Sequence, residues 1–272
     1  MRVMVTGGSG FIGSAVCREL DRRGHEVTVF DKKDGDIRYA DDFWRVGADG
    51  IDHVIHLAGV LGTHELFDTP YLAVDVNIIG TLNALEFCRH HGAGYTGITM
   101  PQVFPSLYTA TKMGATGMAS AYQDSHGVAV SHVRAFNAFG PGQAHGPGHP
   151  QKIIPTFAHN FWHGLPLPVW GDGNQTVDLI HVRDLARMLV DAMSFGNDEV
   201  FDGGTGMPFT VNEVVKMVSA TDLSQAYSVD YLPMRRGERP TNIVAEGENW
   251  DLLDWTPTFH VKDLWETVQS YK

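Results

Sequence analysis

The sequence predicts an α/β protein built on a doubly wound parallel sheet, with a smaller C-terminal lobe. The apolar run Val3-Met4-Val5 passes directly into Thr6-Gly7-Gly8-Ser9-Gly10-Phe11-Ile12-Gly13. Strand-like and helix-like apolar patterns then alternate as far as Phe139. Beyond it, Gly140-Pro141-Gly142 and Gly146-Pro147-Gly148-His149-Pro150 form a turn-rich segment that cannot continue the alternation. The expected division is a nucleotide-binding domain over 1–139, to which 176–204 returns, and a second lobe drawn mainly from 140–272.

A strand that runs into a glycine turn and then a helix leaves backbone N–H groups and the positive end of the helix facing an anion. Gly7 and Gly10 keep side chains out of the path of a dinucleotide pyrophosphate, and Gly13 lets helix and strand pack closely. Ile12, Ala15, Val16 and Leu20 recur at helical spacing, and Gly24 stands where that helix ends. Val27, Val29 and Phe30 make the next strand, which closes on Asp31, near the spacing of about 20 residues at which a carboxylate meets the adenosine ribose. Such a carboxylate bonds two ribose hydroxyls and repels a 2′-phosphate, so NAD is expected rather than NADP. Lys32 and Lys33 are read as solvated loop lysines, although either could offset that repulsion.

Val54-Ile55-His56-Leu57 reads as a buried strand ending at Ala58-Gly59. A long helix is expected over about 66–91, with apolar positions at Leu72, Val76, Ile79, Leu82, Leu85 and Phe87. A strand at 95–99, a helix at 107–123 and a strand at 128–135 follow.

The chain has 272 residues, 43% of them hydrophobic, which is ample for a core. A formal net charge of −12 argues against a nucleic-acid partner, which would want a basic face. No apolar run is long enough to span a bilayer and the start reads as a strand, so a soluble, cytoplasmic protein with no membrane partner is expected. Cys17 and Cys88 are read as reduced packing residues. His90-His91, His145 and His149 lack metal-ligand spacing, and no metal is expected.

The second chemical signature is Tyr108-Thr109-Ala110-Thr111-Lys112. Tyrosine and lysine four apart share a helix face, where an ammonium beside a phenol favours phenolate and can also hold a ribose hydroxyl. The pair is the expected acid/base centre.

With these motifs the chain resembles the extended short-chain dehydrogenases/reductases, and within them the NAD-dependent nucleotide-sugar epimerases and dehydratases. Thr6 to Gly13 resembles their glycine motif, including Phe11 and Ile12, and Gly35-Asp36-Ile37-Arg38 their adenine-contacting motif. Leu57-Ala58-Gly59 is similar to the segment beside the nicotinamide, Asn77-Ile78-Ile79-Gly80-Thr81 to the mid-helix asparagine motif, and Tyr108 with Lys112 to the catalytic pair. In the second lobe, Arg134 to Gly142, Gly171-Asp172-Gly173-Asn174-Gln175 and Arg235-Arg236-Gly237-Glu238 resemble the substrate-binding segments. The resemblance implies a Rossmann domain with a C-terminal substrate-binding lobe. It also implies cofactor contacts from Lys32, Asp36, Ile37 and Asn77, and substrate contacts from Asn137, Val169, Gln175 and Arg235. A homodimer through the 66–91 helix and the Tyr108 helix is implied too, and both carry more apolar residues than one buried stripe needs.

Four departures qualify the resemblance. Met100 stands where the catalytic serine or threonine belongs, and a thioether cannot donate a hydrogen bond. Thr99 has the hydroxyl, but strand alternation would turn it to the other face. Pro101-Gln102 replace the Asp-Glu pair of the usual dehydratases, leaving His64 or Glu65 as candidate bases of an atypical one. The stretches 31–36 and 100–108 are short, the first having lost a helix and part of a strand, and Val177 stands where an arginine often approaches the substrate diphosphate. The implied activity is transient C4 oxidation of a nucleotide sugar by a 4-epimerase. The alternatives are an atypical dehydratase or an impaired NAD and nucleotide-sugar binding protein.

Overall fold

A computed structural model of the chain describes residues 1–47, 50–101, 105–146, 148–259 and 263–272. Five strands come first: β1 (Arg2–Thr6), β2 (Glu26–Phe30), β3 (His53–His56), β4 (Gly94–Thr99) and β5 (Val130–Ala135). They lie in the order β2-β1-β3-β4-β5, all parallel, with β2 at the edge. Helix α1 (Phe11–Arg22) joins β1 to β2. After β2 the chain makes a turn closed by the Asp34 and Gly35 N–H groups on the Asp31 carbonyl, then enters α2 (Ala40–Val46). Phe43 of α2 sits between Phe30 and Phe87, with ring centroids 5.2 and 5.0 Å away, which fastens this short helix to the sheet.

The helix expected over 66–91 is divided. A single 3₁₀ turn covers Glu65–Phe67, and α3 (Pro70–Val74) starts only where Pro70, which has no N–H to leave unpaired, takes the first helical position. A π turn at Asp75–Ile79 then leads into α4 (Gly80–His91). Helix α5 (Leu107–His126) runs three residues past the expected end, until Gly127 reverses the chain with φ 69°. The following strand starts at Val130 rather than 128.

The C-terminal lobe opens with β6 (Asn137–Phe139), α6 (Ile153–Trp162), β7 (Leu167–Trp170) and β8 (Thr176–His181). Helix α7 (Val182–Asp191) follows β8 and packs against α1, and β9 (Asn197–Gly203) returns to the main sheet as its sixth strand, parallel to β5. Then come β10 (Pro208–Thr210), α8 (Val211–Ser219), β11 (Val229–Leu232), α9 (Trp250–Leu253) and α10 (Leu264–Gln269). The lobe's strands form two small sheets, β10-β8-β6 and β11-β7. Buried Asp178 ties the returning chain down by accepting the N–H groups of Thr205, Gly206 and Ala245 and the Thr205 hydroxyl.

Three apolar clusters hold these layers together. One lies between the sheet and α1 with α7, a second between the sheet and α2, α4 and α5, and the third inside the C-terminal lobe. His53 and His56 are buried on the sheet and satisfied as neutral rings by Thr96, Thr6 and Thr81, and burial pushes them down to about 4 and about 3. Cys17 and Cys88 are free thiols. Among the described residues no His, Cys, Asp or Glu group could hold a metal, and no helix is long and apolar enough to cross a membrane.

Candidate active site

The glycine turn is held from behind. Thr6 ends β1 with its Oγ1 accepting the N–H groups of Leu57 and Ala58, both at 3.1 Å, so Leu57-Ala58-Gly59 lies against the turn. A Cβ on Gly7, where φ is 71°, would stand 2.9 Å from the Ala58 nitrogen. Gly10 is the N-cap of α1, with no side chain capping the helix and no acidic residue in its first turn. The positive end of α1 thus faces open space suited to a pyrophosphate.

Asp31 reaches this turn from the end of β2. One carboxylate oxygen accepts the Ser9 N–H at 2.9 Å and the other the Lys32 N–H at 2.8 Å, which fixes the group at the lip of the turn, with the Lys32 side chain exposed. Asp31→Asn is expected to weaken NAD more than NADP in a fluorescence titration. Tighter NADP than NAD binding by the unmodified chain would refute the carboxylate argument. Asp36 is gripped by the Arg38 guanidinium, which holds its carboxyl below the usual range, and Ile37 is buried against Gly80.

Asn77, inside the π turn, is buried and fully engaged by the protein. Its Oδ1 accepts the Val60 N–H at 2.9 Å, and its Nδ2 donates to the Val60 carbonyl and to Thr111 Oγ1, both at 3.1 Å. It couples the loop after β3 to α5, a structural use of a π turn beside a site.

Helix α5 begins cleanly because Ser106 Oγ accepts the Thr109 N–H at 3.0 Å. Tyr108, Lys112 and Thr116 then stack on successive turns. Thr116 Oγ1 donates to Thr99 Oγ1 at 3.0 Å, so the Thr99 hydroxyl sits on the sheet face covered by this helix. Strand alternation does separate it from half-buried Met100, but it is Thr99 that faces the stripe carrying Tyr108. Pro101 is half-buried, and Gln102, Val103 and Phe104 lie outside the described residues.

One expectation about this pair is corrected. Burial dominates both groups, pushing Tyr108 up to about 12 and Lys112 down to about 8, so the ammonium does not draw the phenol toward neutrality in the free chain. Desolvation outweighs attraction because both charged forms lose water.

A cavity in the C-terminal lobe is lined by Gln175, Arg235, Lys152, Thr156, Trp170 and Val177, among others. Arg235 is paired with Glu238, Nε to Oε2 at 2.9 Å and Nη2 to Oε1 at 2.6 Å, and lies 5.5 Å from the Trp170 ring centre. Gln175 donates to the Trp170 carbonyl at 2.6 Å. The Val169 side chain, expected at the substrate, is instead fully buried in the lobe's core, because alternation along β7 turns Pro168 and Trp170 to the cavity. Asn137 is half-buried in β6 and does not line the cavity, and Tyr108 and Lys112 lie beyond it. Glu65 accepts the Gln151 N–H at 3.3 Å, and Arg236 lies over the Phe67 ring at 5.1 Å, so the loop after β3 closes against the cavity's rim. His64 is exposed beside it. Lys152, Thr156 and Trp170 escaped the sequence reading. Only the aromatic before Gly171-Asp172-Gly173 carried any signal.

Residues 3–202 match the model of the NAD dependent epimerase/dehydratase family. The chain belongs to this family. It is an NAD-dependent enzyme, and its relatives modify nucleotide sugars. It is 25% identical to a UDP-glucuronate 4-epimerase of Thermodesulfobacterium geofontis, over 96% of this chain and 92% of that one. It is 28% identical to a dTDP-glucose 4,6-dehydratase of an Actinoplanes species, over 100% and 98%. The crystal structure of Thermus thermophilus UDP-glucose 4-epimerase with NAD superposes with a TM-score of 0.87 at 26% identity, covering 100% of this epimerase-family chain and 99% of that one.

Proposed function

We propose that this family member is a nucleotide-sugar 4-epimerase acting by transient oxidation at C4. The observation that carries the reading is the Tyr108–Lys112 stripe on α5, joined through Asn77 and Thr111 to the loop beside the glycine turn. The open N-terminus of α1 and the Asp31 carboxylate fit NAD, which when bound accepts a hydride and gives it back. Tyr108 takes the proton of the sugar C4 hydroxyl and later returns it. Lys112 holds the ribose and stabilises the phenolate as it forms. The cavity around Arg235 holds the nucleotide and its diphosphate, with Gln175 beside it. Return of hydride to the opposite face of the keto sugar inverts C4.

The test is a panel of UDP-, dTDP- and GDP-sugars followed by NMR in deuterated water. Epimerisation without deuterium incorporation is expected. Loss of water would replace the reading with a dehydratase, and no change in any sugar with a binding protein. Pro101 in place of an acid favours the epimerase, and the Glu65 carboxylate is occupied by the Gln151 N–H at the lobe contact.

Thr99 supplies the hydroxyl that Met100 lacks. Thr99→Val is expected to slow turnover by roughly a hundredfold, or about 3 kcal/mol for one oxyanion donor. Thr99→Ser should restore it, and Met100→Thr should change little. A hundredfold gain in Met100→Thr would move the role to position 100.

The chain also works as a cytoplasmic homodimer in this reading. Tyr71, Leu72 and Val74 of α3 and Ile79 of the π turn after it are large apolar side chains left exposed. Light scattering is expected to give twice the 29.9 kDa chain mass, and a monomer at micromolar concentration removes the proposal.

A further inference from the structure

Helices α1 and α7 pack side by side on the face of the sheet opposite α5. Each brings a pair of arginines four residues apart to one shared cleft, Arg18 and Arg22 from α1 and Arg183 and Arg187 from α7. The cleft is open, has a volume of about 430 Å³ and is completed in part by Thr258 and Phe259. That size lies within the range of small-molecule sites.

Like charges at this spacing repel along a helix, and the nearby acids are engaged elsewhere. Glu19 is gripped by Arg22, at 2.8 and 2.7 Å, and by Arg23 at 2.7 Å, which hold its carboxyl down to about 2. Asp184 is buried, and its oxygens accept the Thr258 and Phe259 N–H groups and the Thr258 hydroxyl, with Arg187 Nη2 standing 3.4 Å away. Arg18 and Arg183 are exposed, and among the described residues neither has an ion-pair partner. Half-buried Arg187 keeps its Nε inside with no hydrogen-bond acceptor. The Arg183 guanidinium lies 5.4 Å from the centre of the Phe259 ring, which is itself stacked on His181 at 4.1 Å. That contact orients the cation and leaves its N–H edges free.

In a chain of formal net charge −12, two uncancelled guanidinium groups in one cleft reverse the local field and attract anions. We propose that the cleft between α1 and α7 is a second ligand site, for a small free molecule bearing a diphosphate or longer phosphate chain. The two uncancelled cations stand on different helices, so one ligand needs two linked anionic groups to meet both. Phosphate suits the cleft better than carboxylate because each group offers more acceptor oxygens to a wall of guanidinium forks. The site lies across the sheet from Tyr108 and Lys112, so it binds without taking part in the hydride and proton steps.

The test titrates the full chain, saturated with NAD to fill the glycine turn, with inorganic pyrophosphate and separately with malonate, by calorimetry. Pyrophosphate is expected to saturate in the millimolar range or below and malonate to bind several times more weakly. Arg18→Gln combined with Arg183→Gln is expected to weaken pyrophosphate at least tenfold, as loss of charge-assisted bonds does, with turnover and NAD affinity unchanged. Two references accompany it. Arg45→Gln combined with Arg89→Gln removes the same charge elsewhere and should leave pyrophosphate within twofold, and so should Arg235→Met in the lobe cavity. Absence of saturable binding, malonate as tight as pyrophosphate, or affinity within twofold in the Arg18 and Arg183 double variant overturns the proposal. An equal loss in the Arg45 and Arg89 variant reduces the effect to net charge and overturns it too, and a loss confined to Arg235→Met places the anion in the lobe cavity instead.

Discussion

Tyr108→Phe is expected to lower turnover by about 10³-fold, within the 10² to 10⁴ range of a lost general acid/base, while NAD binds as before. The phenol makes no hydrogen bond to the described residues, so its removal orphans no partner, and the ring keeps its place on α5. Burial that pushes the phenol up to about 12 makes the free chain a poor base at neutral pH. In the proposed mechanism Lys112, brought down to about 8 by its own burial, supplies the charge that stabilises phenolate once substrate excludes water. Lys112→Met should therefore lose turnover and, unlike Tyr108→Phe, NAD affinity too. Stopped-flow reduction of bound NAD separates the two effects. Full activity in Tyr108→Phe would remove the catalytic assignment.

Gly13→Ala is the second large effect. A Cβ there would lie 2.1 Å from the Gly7 carbonyl oxygen, 2.7 Å from Gly8 Cα and 2.9 Å from the Gly7 carbonyl carbon. All three are backbone atoms, so no rotamer change relieves the clash and the glycine turn must move away from α1. Loss of NAD affinity on the order of a hundredfold, about 2.7 kcal/mol, is expected, together with a lower melting temperature. Gly10→Ala is the contrast. Its Cβ meets only the Gly7 oxygen, at 3.1 Å, and otherwise enters the space left for the pyrophosphate. It should lose NAD with little change in melting. Calorimetry and NAD titration on both variants check the pattern, and a Gly13→Ala protein as stable and as tight for NAD as the parent would contradict the packing described.

Much of the cofactor side was legible because its determinants are close in sequence. The glycine turn, the start of α1 and the Tyr108–Lys112 spacing are set by local backbone geometry and helical period. The divided helix was less so. Its apolar rhythm runs through residues 66–91, whereas Pro70 and the π turn decide where helical hydrogen bonding begins and shifts. That β2 is the sheet edge was not legible in the sequence, because strand order depends on pairing between distant segments.

The sequence by itself determined the family, the parallel sheet, the glycine turn before α1 and the Tyr108–Lys112 spacing on one helix face, since neighbours along the chain encode each of them. Tertiary structure alone decided that Thr99 meets α5 through Thr116, that Asn77 serves the loop after β3, and that Val169 turns into the core. It also brought Lys152 and Thr156 into one cavity with Arg235, some 80 residues away, and moved Tyr108 and Lys112 in opposite directions. The reason is common to all of these. Burial and cross-chain contact arise only when distant segments pack, and desolvation is a property of that packing rather than of any residue or its neighbours in sequence.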